Sequence, residues 1–298
     1  MTNKPAPLKP GDLLRVVAPS GALREIEAFQ QGIEIWRRQG YRVELPLNWD
    51  ARDGYLAGTD IERRQQLAEA WKDPECQGIL CARGGYGSAR LLEDWKWRSL
   101  IPKWLIGFSD ITSLLWSLCQ SGISGVHGPV LTTIAAEPEW SVTRLFDCVE
   151  GRPLDPLSGV SWGSGKVSGI LLPANLTVAT HLLGTAVQPP LDGVILGLED
   201  VTEAPYRIDR MLTQWRMSGA FNKVRGIALG RFSRCDPPKD IPSWTVEEVL
   251  RDRLFDLGIP IVSDLPFGHD GVNAALPVGQ LVELDADQGT LSWSLNHV

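Results

Sequence analysis

Three stretches of the chain hold residue types that could do chemistry. The first is Gly107-Phe108-Ser109-Asp110-Ile111-Thr112. Ser109 follows a short apolar run, Trp104-Leu105-Ile106, and precedes Ile111, Leu114, Leu115 and Leu118, which recur at helical spacing until Gly122. A serine where a strand turns abruptly into a helix can project its hydroxyl from the backbone, while N–H groups at the helix start face incoming negative charge. The plainer alternative is an N-capping serine. The second stretch, Leu196-Gly197-Leu198-Glu199-Asp200, puts two acids just past an apolar strand, with Glu203 a little further on; the start of a solvated loop would look the same. The third is Pro266-Phe267-Gly268-His269-Asp270, a loop histidine beside an acid. A serine nucleophile needs a base, and that base needs an acid to fix its tautomer. Ser109, His269 and Glu199 supply these types from separate loops. The order Ser, acid, His occurs in some hydrolases, but residues 107–111 lack the second glycine of the G-x-S-x-G elbow, which disfavours an α/β-hydrolase.

Other candidates surround these. Arg83-Gly84-Gly85-Tyr86-Gly87-Ser88 has neither the Lys-Ser/Thr ending of a P-loop nor dinucleotide spacing. A tight turn, a carboxylate or oxyanion site and a phosphate site all fit it. Its glycines would let backbone N–H groups approach a ligand, and Arg83 could grip a carboxylate with two parallel hydrogen bonds. Of the remaining histidines, His297 is terminal, His181 falls among apolar residues in an expected helix as a core or interface residue, and His127 sits at a sheet edge where it could line a cleft. No pair among His127, His181, His269 and Glu199 has metal-ligand spacing, so no metal is expected.

The elements that must place these residues alternate. Apolar strands at 13–18, 41–45, 78–81 and 104–106 are separated by helical patterns at 23–39, 60–72 and from 89, which indicates a parallel sheet covered on both faces. Functional loops of such sheets lie beyond the carboxyl ends of the strands, where Pro19-Ser20, residues 83–88 and Ser109 all fall. A strand at 126–129 and a helix at 141–149 close a first domain, residues 1–150. Gly, Pro and Ser dominate 151–166, an interdomain crossing. A second domain, 167–298, has expected helices at 176–183, 208–218 and 246–257. Its expected strands lie at 194–198, 226–230, 261–263, 279–284 and 290–295, the last two joined as a hairpin.

Composition narrows the classes. The chain has 298 residues, 43% of them hydrophobic, and a net charge of -7 without a basic run, which argues against a nucleic-acid partner. No segment approaches a membrane span. Five cysteines without a CxxC pair fit a reducing, cytoplasmic setting. Twelve tryptophans could fill the core or line a groove.

Taken together, Val17-Ala18-Pro19-Ser20-Gly21, Arg83–Ser88, Ile106–Thr112, Asn175-Leu176-Thr177, Leu198-Glu199-Asp200, Pro205–Arg210 and Phe267-Gly268-His269 resemble the L,D-carboxypeptidase family of serine peptidases. That group includes murein tetrapeptide carboxypeptidases and the microcin C immunity peptidase. The resemblance implies an N-terminal α/β domain with a three-layer parallel sheet, a C-terminal domain with its own sheet, and an active site in the interdomain cleft. It implies Ser109 as nucleophile, Glu199 as acid and His269 as base, with backbone N–H groups of Asp110 and the Gly84-Gly85 turn at the oxyanion hole. Arg83 and Tyr86 are the candidates for touching substrate. No cofactor or metal is implied; a homodimer is, together with release of terminal D-alanine from murein tetrapeptide in cell-wall recycling. Immunity-type cleavage of aminoacyl-nucleotide conjugates is the nearest alternative. A catalytically silent binding protein and a cysteine-dependent amidotransferase are alternatives of other classes. Pro173-Ala174 stand where the family usually has glycines.

Overall fold

The computed structural model describes residues 2–97, 101–237 and 241–293. The chain forms two compact units, residues 1–153 with 274–279, and 154–273 with 280–298. In the first unit the strands are β1 (Leu13–Val17), β2 (Arg42–Glu44), β3 (Cys76–Cys81), β4 (Trp104–Gly107) and β5 (Val126–His127). They lie in the order β5-β4-β3-β1-β2, all parallel, and the late strand at Leu276–Pro277 adds antiparallel to β5. From β1 the chain runs outward to the edge strand β2, then returns to the other side of β1 for β3. That reversal is the topological switch point of a doubly wound sheet, where the loops after β1 and β3 diverge and leave a crevice.

The helices of this unit are α1 (Ile26–Arg38), α2 (Asp60–Lys72), α3 (Ser88–Leu91), α4 (Thr112–Gln120) and α5 (Glu139–Val149). Phe29, Ile33 and Trp36 form the buried stripe of α1. Thr59 begins α2 with a reciprocal capping box to Glu62. Trp36, Trp104 and Trp116 are fully buried, as is Trp215 in the second unit, so these four tryptophans fill core. Trp71, Trp95 and Trp97 meet edge to face at 4.7 and 5.2 Å.

In the second unit, β6 (Leu157–Ser158), β7 (Val160–Trp162), β8 (Lys166–Asn175), β9 (Val194–Val201), β10 (Gly226–Ser233) and β11 (Ile261–Ser263) precede β12, the Leu276–Pro277 strand of the first sheet. The chain then returns for β13 (Leu281–Asp285) and β14 (Thr290–Trp293). The second sheet is ordered β6-β14-β13-β8-β9-β10-β11-β7, parallel from β8 through β11 and antiparallel outside. Helices α6 (Leu176–Leu182), α7 (Pro205–Met217) and α8 (Val246–Leu254) belong to this unit. The hairpin of β13 and β14 forms as its turn residues lead one to expect.

Three features depart from the sequence reading. Residues 151–166, expected as an interdomain crossing, carry β6 and β7, which pair with β14 and β11 and had no counterpart among the expected strands. Residues 274–279 leave the second unit to complete the first sheet. And β8, ten residues long, has no counterpart among the expected strands, because Pro173 demotes the run. The proline is tolerated because the registered pairing of β13 with β8 ends at Ile170, before Pro173, so no ladder bond there calls for the N–H that proline lacks. The expected end of the last strand at Leu295, and His297, lie outside the described residues. Among the described residues, no helix is long and apolar enough to cross a membrane.

Candidate active site

β4 ends at Gly107, and Ser109 opens a short 3-10 turn that continues into α4. Its backbone has φ +62°, the left-handed region that non-glycine residues avoid. No cap hydrogen bond uses its side chain, since Phe108 occupies the cap position. The capping alternative therefore fails. The turn is an elbow in backbone shape although its sequence lacks the second glycine. Phe108, Asp110 and Ile111 are buried while Ser109 remains partly exposed, so the hydroxyl is the element of the turn that solvent reaches. The N–H groups of Ser109 and Asp110 open the turn, where no preceding carbonyl of the same turn can accept them.

The three rim loops are joined by one carboxylate that the sequence reading had valued only for its backbone. Asp110 Oδ2 accepts from the Ser20 hydroxyl at 2.6 Å and from the Ser88 N–H at 2.8 Å. The Ser88 hydroxyl in turn donates to the Asp110 carbonyl at 2.6 Å. All three residues are buried, and hydrogen bonds to a buried carboxylate are among the strong ones. Arg63, also fully buried, donates to the carbonyls of Pro19 and Gly87 and bonds Asp60. Ser20 and Ser88 are the signal that sequence held for this network: a small hydroxyl residue in each of two loops at the same sheet edge.

The glycine loop lies against the serine. A Cβ on Gly84 would stand 3.1 Å from Ser109 Cβ and 3.3 Å from its Oγ, and Gly85 has φ +109°. Arg83 donates through Nε to Glu25 at 3.0 Å, and its Nη1 lies over Gly21 and Gly85. It thus braces the loop, and Tyr86 stays exposed beside Tyr55, ring centroids 5.9 Å apart. His127 is not at an open edge but fully buried on β5, its ring edge to face with Phe108 at 5.9 Å. His181 lies exposed on α6, which removes the core alternative for it. Among the described residues no group of three His, Cys, Asp or Glu side chains could hold a metal.

In the second unit, Glu199 and His269 come together. β9 carries Glu199, fully buried, and its Oε2 lies 2.6 Å from Nδ1 of His269. Oε1 of Glu199 is also buried and has no hydrogen-bond partner among the described residues. Burial of the imidazole opposes its charged form, but the adjacent Glu199 carboxylate outweighs this and holds the His269 pKa above the ordinary histidine value. Asp200, next in the strand, faces elsewhere. It accepts from Asn175 Nδ2, from the N–H and hydroxyl of Thr177 and from the Val201 N–H. Burial and the neighbouring Glu199 charge nevertheless push its pKa up to about 6. With every partner committed to that junction, Asp200 is a poor substitute for Glu199. Asn175 also caps α6 by accepting from the Val178 N–H.

A partly exposed serine on a strained strand-to-helix turn, and a histidine whose basicity is raised by a buried carboxylate, are parts of serine-hydrolase chemistry on an α/β scaffold. The chain matches the LD-carboxypeptidase N-terminal domain over residues 14–128 and the LD-carboxypeptidase C-terminal domain over 168–284. A putative carboxypeptidase of Synechocystis sp. is 62% identical over 97% of both chains. The murein tetrapeptide carboxypeptidase of Pseudomonas aeruginosa is 32% identical over 93% of this chain and 94% of its own. Among solved structures, the muramoyltetrapeptide carboxypeptidase from Oxalobacter formigenes matches with a TM-score of 0.82 and 29% identity, covering 94% of this chain and 97% of that one. The chain belongs to the LD-carboxypeptidase family of serine peptidases and is a hydrolase acting as a carboxypeptidase.

Proposed function

We propose that the protein cleaves the bond between an L-configured centre and a terminal D-alanine in murein tetrapeptide, with Ser109, His269 and Glu199 as its triad. Ser109 Oγ attacks the scissile carbonyl carbon and His269 takes the hydroxyl proton. The resulting oxyanion is stabilised by backbone N–H groups of Asp110 and the Gly84-Gly85 turn. His269 then protonates the leaving amine of D-alanine, and water resolves the acyl-serine by the same route in reverse. Glu199 fixes the tautomer through Nδ1 and stabilises the imidazolium. The observation that carries this reading is the 2.6 Å contact of His269 with a fully buried carboxylate, which makes this imidazole a stronger base.

The names of the Pseudomonas and Oxalobacter relatives support the murein substrate. All five thiols are free. Burial raises the Cys81 thiol pKa further above its usual value, which disfavours a cysteine nucleophile in this sheet. Free thiols also suit the cytoplasm, where this reading places the protein. A homodimer belongs to the same proposal and is checked by sedimentation. The activity test is incubation of purified protein with murein tetrapeptide and assay of free D-alanine. Release by the wild type and none by Ser109→Ala is expected. Cleavage of aminoacyl-nucleotide conjugates with no D-alanine release would move the assignment to the immunity-type substrate.

A further inference from the structure

His269 lies in a stretch with little regular structure of its own. It follows β11 and is bounded by Gly268 at φ +136° and Gly271 at φ +87°. An imidazole there can swing unless the segment is fastened, and a triad base misplaced by about 1 Å can lose a factor of about a hundred in rate. The fastening comes from β10. Leu265 N–H donates to Leu229 O at 3.0 Å and Arg231 N–H to Phe267 O at 2.9 Å. A Cβ on Gly230 would fall 2.5 Å from Phe267 O, and one on Gly268 2.9 Å from Arg231 O, so the two backbones meet without room for a side chain. Gly268 N–H donates to Asn273 Oδ1 at 3.2 Å, and the Arg231 guanidinium adds a side-chain grip. Its Nε bonds Asp264 Oδ1 at 3.1 Å, and its Nη1 bonds Asp270 Oδ2 at 2.9 Å. One planar group therefore spans the stretch, gripping it before and immediately after His269.

We infer that Arg231 is a positioning residue for the proposed base, holding residues 264–270 so that His269 keeps its bond to Glu199. The inference rests on the assignment of His269 as the base. Arg231 and Asp270 are each about one third exposed and Asp264 about two thirds, so the ion pairs add little to global stability. What they fix is direction, since the guanidinium fork is rigid where a lysine would be a flexible point charge.

Arg231→Met keeps the stem and the backbone bonds but removes the fork. Expected are a fall in kcat of about ten- to a hundredfold, KM within about threefold of wild type, and a nearly unchanged melting temperature. The downfield proton resonance of the His269–Glu199 bond should broaden or move in the resting protein. Arg231→Lys, able to hold one acid, should recover part of the rate. The charges that act on His269 are Glu199, the more distant Asp200 on β9 and Arg234 after β10, with Asp270 next to it in the chain. Removing Arg231 alone exposes the Asp270 charge, so the double variant Arg231→Met/Asp270→Asn restores the charge balance without the grip. It should remain slow. Wild-type kcat with an unmoved resonance in Arg231→Met overturns the inference, as does full recovery in the double variant, which would make the effect electrostatic. Full turnover by His269→Gln would instead remove the base assignment, while the resonance in Arg231→Met still reports whether the grip exists.

Discussion

The Ser109 turn and the Glu199–His269 pair store readiness in different physical forms. Around Ser109 the polar network is well satisfied: Asp110 Oδ2 has two donors, Ser88 is bonded at both its N–H and its hydroxyl, and the tension sits in one backbone angle. Around Glu199 the imbalance is electrostatic: a buried carboxylate faces an imidazole and has one oxygen without a donor among the described residues. The first is rigid and conformationally strained; the second is poised to take a proton. Substitutions in the two regions should therefore leave different signatures, one in stability and the other in pH dependence.

The largest effects should come where either region loses its reacting atom. Ser109→Ala and His269→Ala should each cut kcat by about 10⁴-fold or more, and the double variant should be little worse, since the members act as a unit. Steady-state D-alanine release measures this; additive losses would mean that the two side chains work independently. Next comes Glu199→Gln, expected to lower kcat by about 10²- to 10⁴-fold. In the wild type, the acid limb of kcat/KM should lie above the ordinary histidine value of about 6.5, because Glu199 favours the protonated ring. In Glu199→Gln that limb should move down. The stability linkage has the same origin. A raised folded-state pKa contributes stability that is complete below the unfolded value and lost as pH rises through the folded one. The difference in unfolding free energy between wild type and Glu199→Gln should therefore shift against the wild type as pH rises above the ordinary histidine value of about 6.5, measured by urea titration.

Asp110→Asn sharpens the comparison from the serine side. It weakens two hydrogen bonds to a charged acceptor, an expected loss of about 2 kcal/mol with a clear drop in rate and no shift of the acid limb. Ser109→Gly should be inactive yet more stable than the wild type by about 1 kcal/mol, because glycine relieves the left-handed backbone. An unchanged or lower melting temperature would mean that the turn carries no strain. The smallest effect is expected for Arg83→Lys. With Nε engaged by Glu25, this residue braces the glycine loop, and a several-fold loss is expected in kcat/KM.

Much of the fold could be read from local pattern. The alternation of short apolar strands with helical stretches gave the parallel sheet of the first unit, and β1, β3 and β4 place their loops at one rim because parallel strands share their carboxyl ends. Ser109 stood out because an apolar run, a glycine and a helical period meet within a few residues, all short-range signals. β6, β7, β8 and β12 were not legible. Strands of two or three residues carry no period, a proline inside β8 contradicts local propensity, and β12 is a strand only because β5 offers it an edge.

By itself, then, the sequence determined which residue types stand at the ends of which elements, and the family they resemble. The tertiary structure decided what those side chains meet. It spent the Asp110 carboxylate on Ser20 and Ser88, and committed Asp200 to Asn175 and Thr177 while leaving Glu199 for His269. It also buried His127, exposed His181, and closed the grip of Arg231 on residues on either side of His269. The physical reason is range. Propensity and hydrophobic period act over a few residues, whereas these partners stand between 22 and 90 positions apart in the chain and meet only when the sheets are assembled.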